Sequence, residues 1–304
     1  MEYFPGKQGL MRKGAELILQ WTFPLSTYCL CCGKAVDDTR SYSICDHCIR
    51  HIKWGNIHID LKSESRHLGR PPHLDSALAC VKYGLYERRL IFDLKYDGRT
   101  YVARAIGQIM ADRLAAEGYA EIAGQGAPLP SDDPNYSYHR SAYSCCSGNQ
   151  QSYNGESCHH DSGFDYIVPV PVHRDREKAR GFNQAEKIAR HLSGRVGVPV
   201  LPRAIVRDRR TAAQRSLSSE DRYFNMEGAF SMNSADAERI KGRRILLLDD
   251  VYTTGATAHH CGEVLKNAGA GRVDFIAFAT GNDFAYGFFS NLEHFFYKIN
   301  LKTF

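Results

Sequence analysis

Two adjacent carboxylates, Asp249 and Asp250, follow the unbroken apolar run Ile245 to Leu248 and shortly precede Thr253, Thr254, Gly255, Ala256 and Thr257. An apolar run of this kind marks a strand buried on both faces of a parallel sheet. A helix-like segment, roughly Ala256 to Asn267, follows and stops near Gly269. The expectation is therefore a strand with the acidic pair at its carboxyl end, then a small-residue turn and a helix. Together these make half of a βα unit, and such sheets bind ligands outside the carboxyl ends of their strands. Backbone N–H groups of the turn and of the helix start form an anion cradle, and Gly255 allows close approach. A carboxylate pair beside that cradle would repel a bare phosphate. It suits a ligand that also donates hydrogen bonds, such as a ribose 5-phosphate with its vicinal diol. The GxxxxGK[ST] loop of the nucleoside triphosphatases is absent.

Four cysteines, Cys29, Cys32, Cys45 and Cys48, form two C-x2-C pairs, and Gly33 follows the first pair. Each pair can chelate one tetrahedral ion from a tight turn, and four thiolates suit a closed structural zinc site. Cys31 and His47 lie between these ligands, but Cys31 in place of Cys32 would shorten the knuckle. Ten cysteines in 304 residues are too few for a disulfide scaffold, and a net charge of +5 permits a nucleic-acid partner without requiring one. No stretch approaches the ~18 apolar residues of a membrane helix. Glu16 and Gln20 interrupt the amphipathic segment Met11 to Phe23, so no signal peptide is read and a cytoplasmic location is expected.

The elements that must position these groups follow in order. Ser76 to Tyr83 reads as a strand, Tyr86 to Tyr96 as a helix broken at Asp97-Gly98, and Thr100 to Glu117 as a second helix. Lys95, near the end of the first helix, either points at a pyrophosphate or is simply solvated. Residues 125–162 are rich in Ser, Tyr, Asn, Gly and His and nearly free of aliphatic residues, which reads as a mobile insertion. Tyr166 to Pro171 is a strand into a proline turn. A basic loop follows with His173, Arg174, Arg176, Lys178 and Arg180, and Asn183 then caps a helix with Glu186 in capping-box register. A basic loop at a strand's carboxyl end can hold a pyrophosphate. Val198 to Leu201 reads as a short strand, Arg207 to Arg222 as an arginine-rich loop that orders over a ligand or grips nucleic acid, and Arg272 to Thr280 as a further strand.

The double C-x2-C, PVPVHRDREKARGFNQAE, RTAAQ and LLLDDVYTTGAT occur in this order. With them the chain resembles the ComF family, the competence protein F-like members of the type I phosphoribosyltransferase superfamily. The resemblance implies an α/β fold, with a parallel-sheet phosphoribosyltransferase-like core and a small N-terminal zinc-ribbon-like cap. The implied organisation is a double-knuckle domain at 1–60, a core domain at 61–285 interrupted at about 125–162, and a tail at 286–304. It implies 5-phosphoribosyl 1-pyrophosphate (PRPP) as ligand, with Mg²⁺, and a link to DNA uptake. Asp249 and Asp250 would take the ribose hydroxyls, and Thr253, Thr254, Gly255, Ala256 and Thr257 the 5-phosphate. Pro171, Val172, His173 and Arg174 would take the pyrophosphate, and Arg180 belongs to the same motif. The acceptor stays open, as do single-stranded DNA or DNA-uptake proteins as partners, and a non-catalytic PRPP- or DNA-binding role is the alternative. A glutaminase activity is not expected, since the first cysteine is the zinc ligand Cys29.

Overall fold

The apolar run at 245–248 is buried on both sides, as its composition demands. Ile245 and Leu247 pack into one helical layer, Leu246 and Leu248 into the other, and none is more than 1% exposed. The structure is a computed structural model, and it describes residues 28–37, 41–62, 72–96, 99–119, 163–208 and 226–281. The amphipathic segment at 11–23, the insertion at 125–162, most of the arginine-rich stretch and the aromatic tail lie outside the described residues.

In chain order the elements are α1 (Asp46–His51), β1 (Trp54–His58), β2 (Ser76–Lys82), α2 (Leu85–Tyr96) and α3 (Val102–Ala116). After them come β3 (Tyr166–Pro169), α4 (Arg174–Arg180), α5 (Gln184–Val196), β4 (Ile205–Arg207) and β5 (Phe230–Met232). The chain continues with α6 (Ser234–Ile240), β6 (Arg244–Tyr252), α7 (Ala256–Asn267) and β7 (Arg272–Thr280). Five strands form one sheet in the order β1-β2-β7-β6-β3, parallel throughout except for β1, and β4 and β5 form a separate antiparallel pair. The fold is thus mixed α/β around a mostly parallel sheet with helices on both faces. One layer holds α2, α3 and α5, through residues such as Leu94, Ile106 and Leu192. The other holds α6, α7 and the β4–β5 pair, through Ile240, Leu265 and Phe230.

Three expectations are corrected. The acidic pair, expected at the strand's carboxyl end, stands near that end but inside the strand, because β6 runs on to Tyr252. The basic stretch after Pro171 is not a loop but the short helix α4, which His173 opens and Gly181 closes at φ 86°. Val198 to Leu201 makes a single parallel bridge, Val200 to Ile167, rather than a strand. In each case local hydrogen bonding overrode a pattern too short or too charged to carry periodicity.

The layer containing α3 depends on one close approach. A Cβ added to Gly107 would lie 2.8 Å from the Cβ of His191, 3.1 Å from the amide nitrogen of Leu192 and 3.2 Å from the carbonyl oxygen of Ile188, all on α5. Helix propensity alone favours Ala over Gly by about 1 kcal/mol, but backbone atoms cannot step aside. Gly107→Ala should therefore destabilise the fold by about 1–3 kcal/mol, read as a lower urea midpoint at unchanged m-value.

Candidate functional site

Strands β3 and β6 are parallel neighbours, with Pro169 opposite Leu248. The turn Pro171–Arg174 and the segment 249–257 therefore leave the same edge of the sheet side by side. Asn183 fixes the first of these: its Nδ2 donates to the Val170 carbonyl at 3.0 Å, while its Oδ1 accepts from the Ala185 amide at 3.0 Å. Glu186, in capping-box register, is drawn instead to Arg190, whose Nη2 lies 2.7 Å away. The ring Nδ1 of His173 accepts from the Asp175 amide at 3.2 Å and so caps α4. Arg180 donates to the Gln184 Oε1 at 2.6 Å, so these two motif residues bind each other. Beside the turn lies a cavity of about 310 Å³, lined among others by Pro171, Val172, Arg174, Glu177, Glu186, Arg203 and Arg207. Its charges are of both signs, and its lining includes neither the acidic pair nor the 253–257 turn.

The second segment turns at Gly255, whose φ of 69° is a left-handed conformation that favours glycine. A Cβ there would also strike the Tyr252 hydroxyl, and it would lie 3.1 Å from Cδ2 of His259. Gly255 thus caps α7 with no side-chain cap hydrogen bond, and Thr254 Oγ1 accepts from the Ala256 amide at 3.4 Å. The first-turn amides of such a helix have no intrahelical partner and stand at its positive end, a ready anion site. Thr253 is exposed and Thr254 and Thr257 are half-buried, so hydroxyls remain near that end.

The acidic pair divides. Side chains of consecutive strand residues point to opposite faces. Asp249 lies on the α7 side, within electrostatic reach of Cys261 and Arg207. Asp250 lies on the α2 side, where Lys95 Nζ approaches its Oδ2 to 2.6 Å. The two remain linked by the Asp250 amide, which donates to Asp249 Oδ1 at 2.8 Å. Asp249 retains some exposed surface, yet burial of its carboxyl, and then the charge of Asp250, hold it well above the usual carboxylate range against the pull of Lys95. Lys95 is therefore not a freely solvated lysine, since its ammonium is paired with Asp250. The two signals missed in the sequence were this pairing and Tyr252 beneath Gly255, both of which depend on the strand continuing past Asp250.

Ahead of β1, Cys29, Cys32, Cys45 and Cys48 bring their sulfurs within 4.8 Å of one another, with 3.7 Å between Cys32 and Cys45. Four ligands at the ~2.3 Å of a zinc–thiolate bond would stand about 3.8 Å apart, so the cluster fits such an ion. The first knuckle is a tight hairpin in which the Gly33 amide donates to the Cys29 carbonyl and Gly33 has φ 72°. Cys45 and Cys48 come from the start of α1. Burial raises the Cys29 thiol, but the backbone amides of Cys45, Cys32 and Cys31 outweigh it and bring it down to about 7. Burial pushes Cys48 up. The cluster is seated on the core: Tyr42 donates to Asp112 of α3, and Ile44 and Ile52 join the layer containing α2, α3 and α5.

Residues 178–284 match the family model described as "Phosphoribosyl transferase domain". Competence protein F of Haemophilus influenzae is 37% identical over 103 residues, which is 34% of this chain and 44% of that protein. The chain thus spans less than half the length of that relative. DNA utilization protein YhgH of Salmonella typhi is 25% identical over 245 residues, 81% of this chain and 86% of that protein. A solved structure of the B. subtilis glutamine PRPP amidotransferase, complexed with ADP and GMP, has a TM-score of 0.26 at 18% identity, covering 38% of this chain and 22% of that one.

A carboxyl whose folded pKa is raised costs stability once the unfolded chain can ionise it, that is, above pH ~4. Asp249→Asn should therefore raise the thermal midpoint at pH 7, with the gain shrinking as pH falls toward 4. Thermal melts across that range check it; a lowered midpoint at pH 7 would contradict the raised pKa.

Proposed function

We propose, on the premise that this chain belongs with competence protein F and YhgH and carries a phosphoribosyltransferase domain, that it binds PRPP at the shared carboxyl edge of β3 and β6. The observation that carries this is the juxtaposition of two turns on adjacent parallel strands. One is built around an uncapped helix start with glycine and threonines, and the other is held by Asn183. In this reading the 253–257 turn takes the 5-phosphate, Asp249 and Asp250 the ribose hydroxyls, and Pro171 to Arg174 the pyrophosphate. Mg²⁺, a hard cation suited to phosphate oxygens, would enter with the pyrophosphate and offset its charge. Catalysis would break the bond from C1 to the pyrophosphate oxygen through an oxocarbenium-like state. Pyrophosphate leaves, and an acceptor nucleophile forms the new bond to C1 as it gives up its proton to solvent or pyrophosphate. The acidic pair faces the developing positive charge, and positioning supplies most of the rate. The four-cysteine cluster is a structural zinc site, and the protein's setting is the handling of DNA taken up by the cell. The names of its relatives, competence and DNA utilization proteins, support that setting. A non-catalytic PRPP-binding role is the second reading, because no described residue beside the turns stands out as a base for an acceptor. No helix among the described residues is long and apolar enough to cross a membrane.

Two measurements test this. Metal analysis should return about one zinc per chain, and Cys48→Ser should lose the ion and stability together; a stable, metal-free wild type would remove the zinc site. Calorimetric titration with PRPP and Mg²⁺ should show wild-type binding. A charge-assisted hydrogen bond is worth about 1.5–3 kcal/mol, so Asp250→Ala should weaken that binding by about one to two decades, and Asp250→Asn by less. Since Asp249 accepts charge-assisted hydrogen bonds only when ionised, affinity should also fall as pH drops, beginning above the range of ordinary carboxylates because Asp249 is raised. Binding that neither aspartate variant alters would take the pair out of the site.

A further inference from the structure

Lys95 stands in the last turn of α2, outside the 178–284 match, yet it reaches the acidic pair. Its ammonium lies 2.6 Å from Asp250 Oδ2, with the two side chains 22% and 5% exposed. That oxygen is wholly covered, and among the described residues it accepts no well-aligned hydrogen bond, so the contact is ionic rather than a directed hydrogen bond. The small opening that the Asp250 side chain retains therefore lies away from Oδ2. The ammonium fixes one side of the carboxylate and leaves the other side to a ligand. A nearly buried ion pair is a poor device for stability alone, because desolvation offsets most of its attraction. Here it sits on a residue next to a second carboxylate, to which it is joined through a backbone hydrogen bond.

We propose that Lys95 is a positioning residue for the ribose hydroxyls of PRPP: it pins Oδ2 of Asp250, aims the rest of the carboxylate at the ligand and offsets the charge of the acidic pair. This rests on the ribose reading of Asp250 given above. It also brings α2 into the ligand site, so that with the turns at 171–174 and 249–257 the site is assembled from three separated stretches of chain.

The test is a ratio of affinities measured by calorimetry: ribose 5-phosphate against 2,3-dideoxyribose 5-phosphate, which lacks both hydroxyls. The two probes carry the same phosphate, so long-range loss of a positive charge cancels in the ratio. Thermal melts alongside report the fold. The wild-type ratio should be well above one. Lys95→Met, which keeps the stem and drops the charge, should lower it about tenfold, while Lys95→Arg should recover most of it. If Lys95→Met does not fold, Lys95→Gln, which retains an N–H donor on a similar stem, should still lower the ratio. A folded Lys95→Met or Lys95→Gln protein with the wild-type ratio would overturn the assignment, since a purely structural lysine moves the melt and not the ratio. A variant that loses only its preference for PRPP over ribose 5-phosphate would overturn it too, by giving Lys95 to the pyrophosphate. A wild-type ratio near one would instead remove the ribose reading itself, and this assignment with it.

Discussion

The burial of β6 on both faces governs everything around it. A strand sandwiched between two helical layers has no solvated side on which to carry a polar group, so its carboxylates have to sit near the carboxyl edge. There they still alternate. Asp249 and Asp250 are sequence neighbours, but each belongs to a different layer and each has its own electrostatic surroundings. One is linked to a lysine from the early part of the chain, and the other is raised by burial and by its neighbour. The pair is thus two distinct groups held at one place, each facing a different layer.

The parts of the fold that were legible in the sequence are those where one signal dominates. Strand β7 and helix α7 were read to the residue, because the apolar run Phe275 to Ala279 and a glycine-bounded segment leave few alternatives. Helix α4 was not, since seven largely charged residues bury nothing and show no periodicity. It exists because His173 caps its start and Gly181 its end. The four cysteines were legible from spacing alone, as ligands contributed by local turns should be. The contact between Lys95 and Asp250 joins positions far apart in sequence, and no local pattern encodes it.

The cysteine cluster is also less detached than its motif suggests. Strand β1 follows directly and pairs with β2 at the edge of the sheet, and the Lys53 amide just before it donates to the buried Glu87 of α2 at 2.5 Å. Tyr42, held at a left-handed φ of 62°, reaches Asp112. Order at the sulfurs is therefore shared with α2, the helix that presents Lys95.

The strand order carries a consequence for how the chain is made. Among the described residues the centre of the sheet is β7, the last strand in sequence, and it alone joins the β1–β2 half to the β6–β3 half. Ser76 meets its partner Asp274 across 198 positions of chain. During synthesis the cysteine turns can close within some twenty residues of one another, whereas β2 must wait with an open edge until almost the whole described chain has emerged. The sheet is keyed shut by its final strand, and until then the nascent protein is two half-sheets exposing the edges that are innermost in the finished fold.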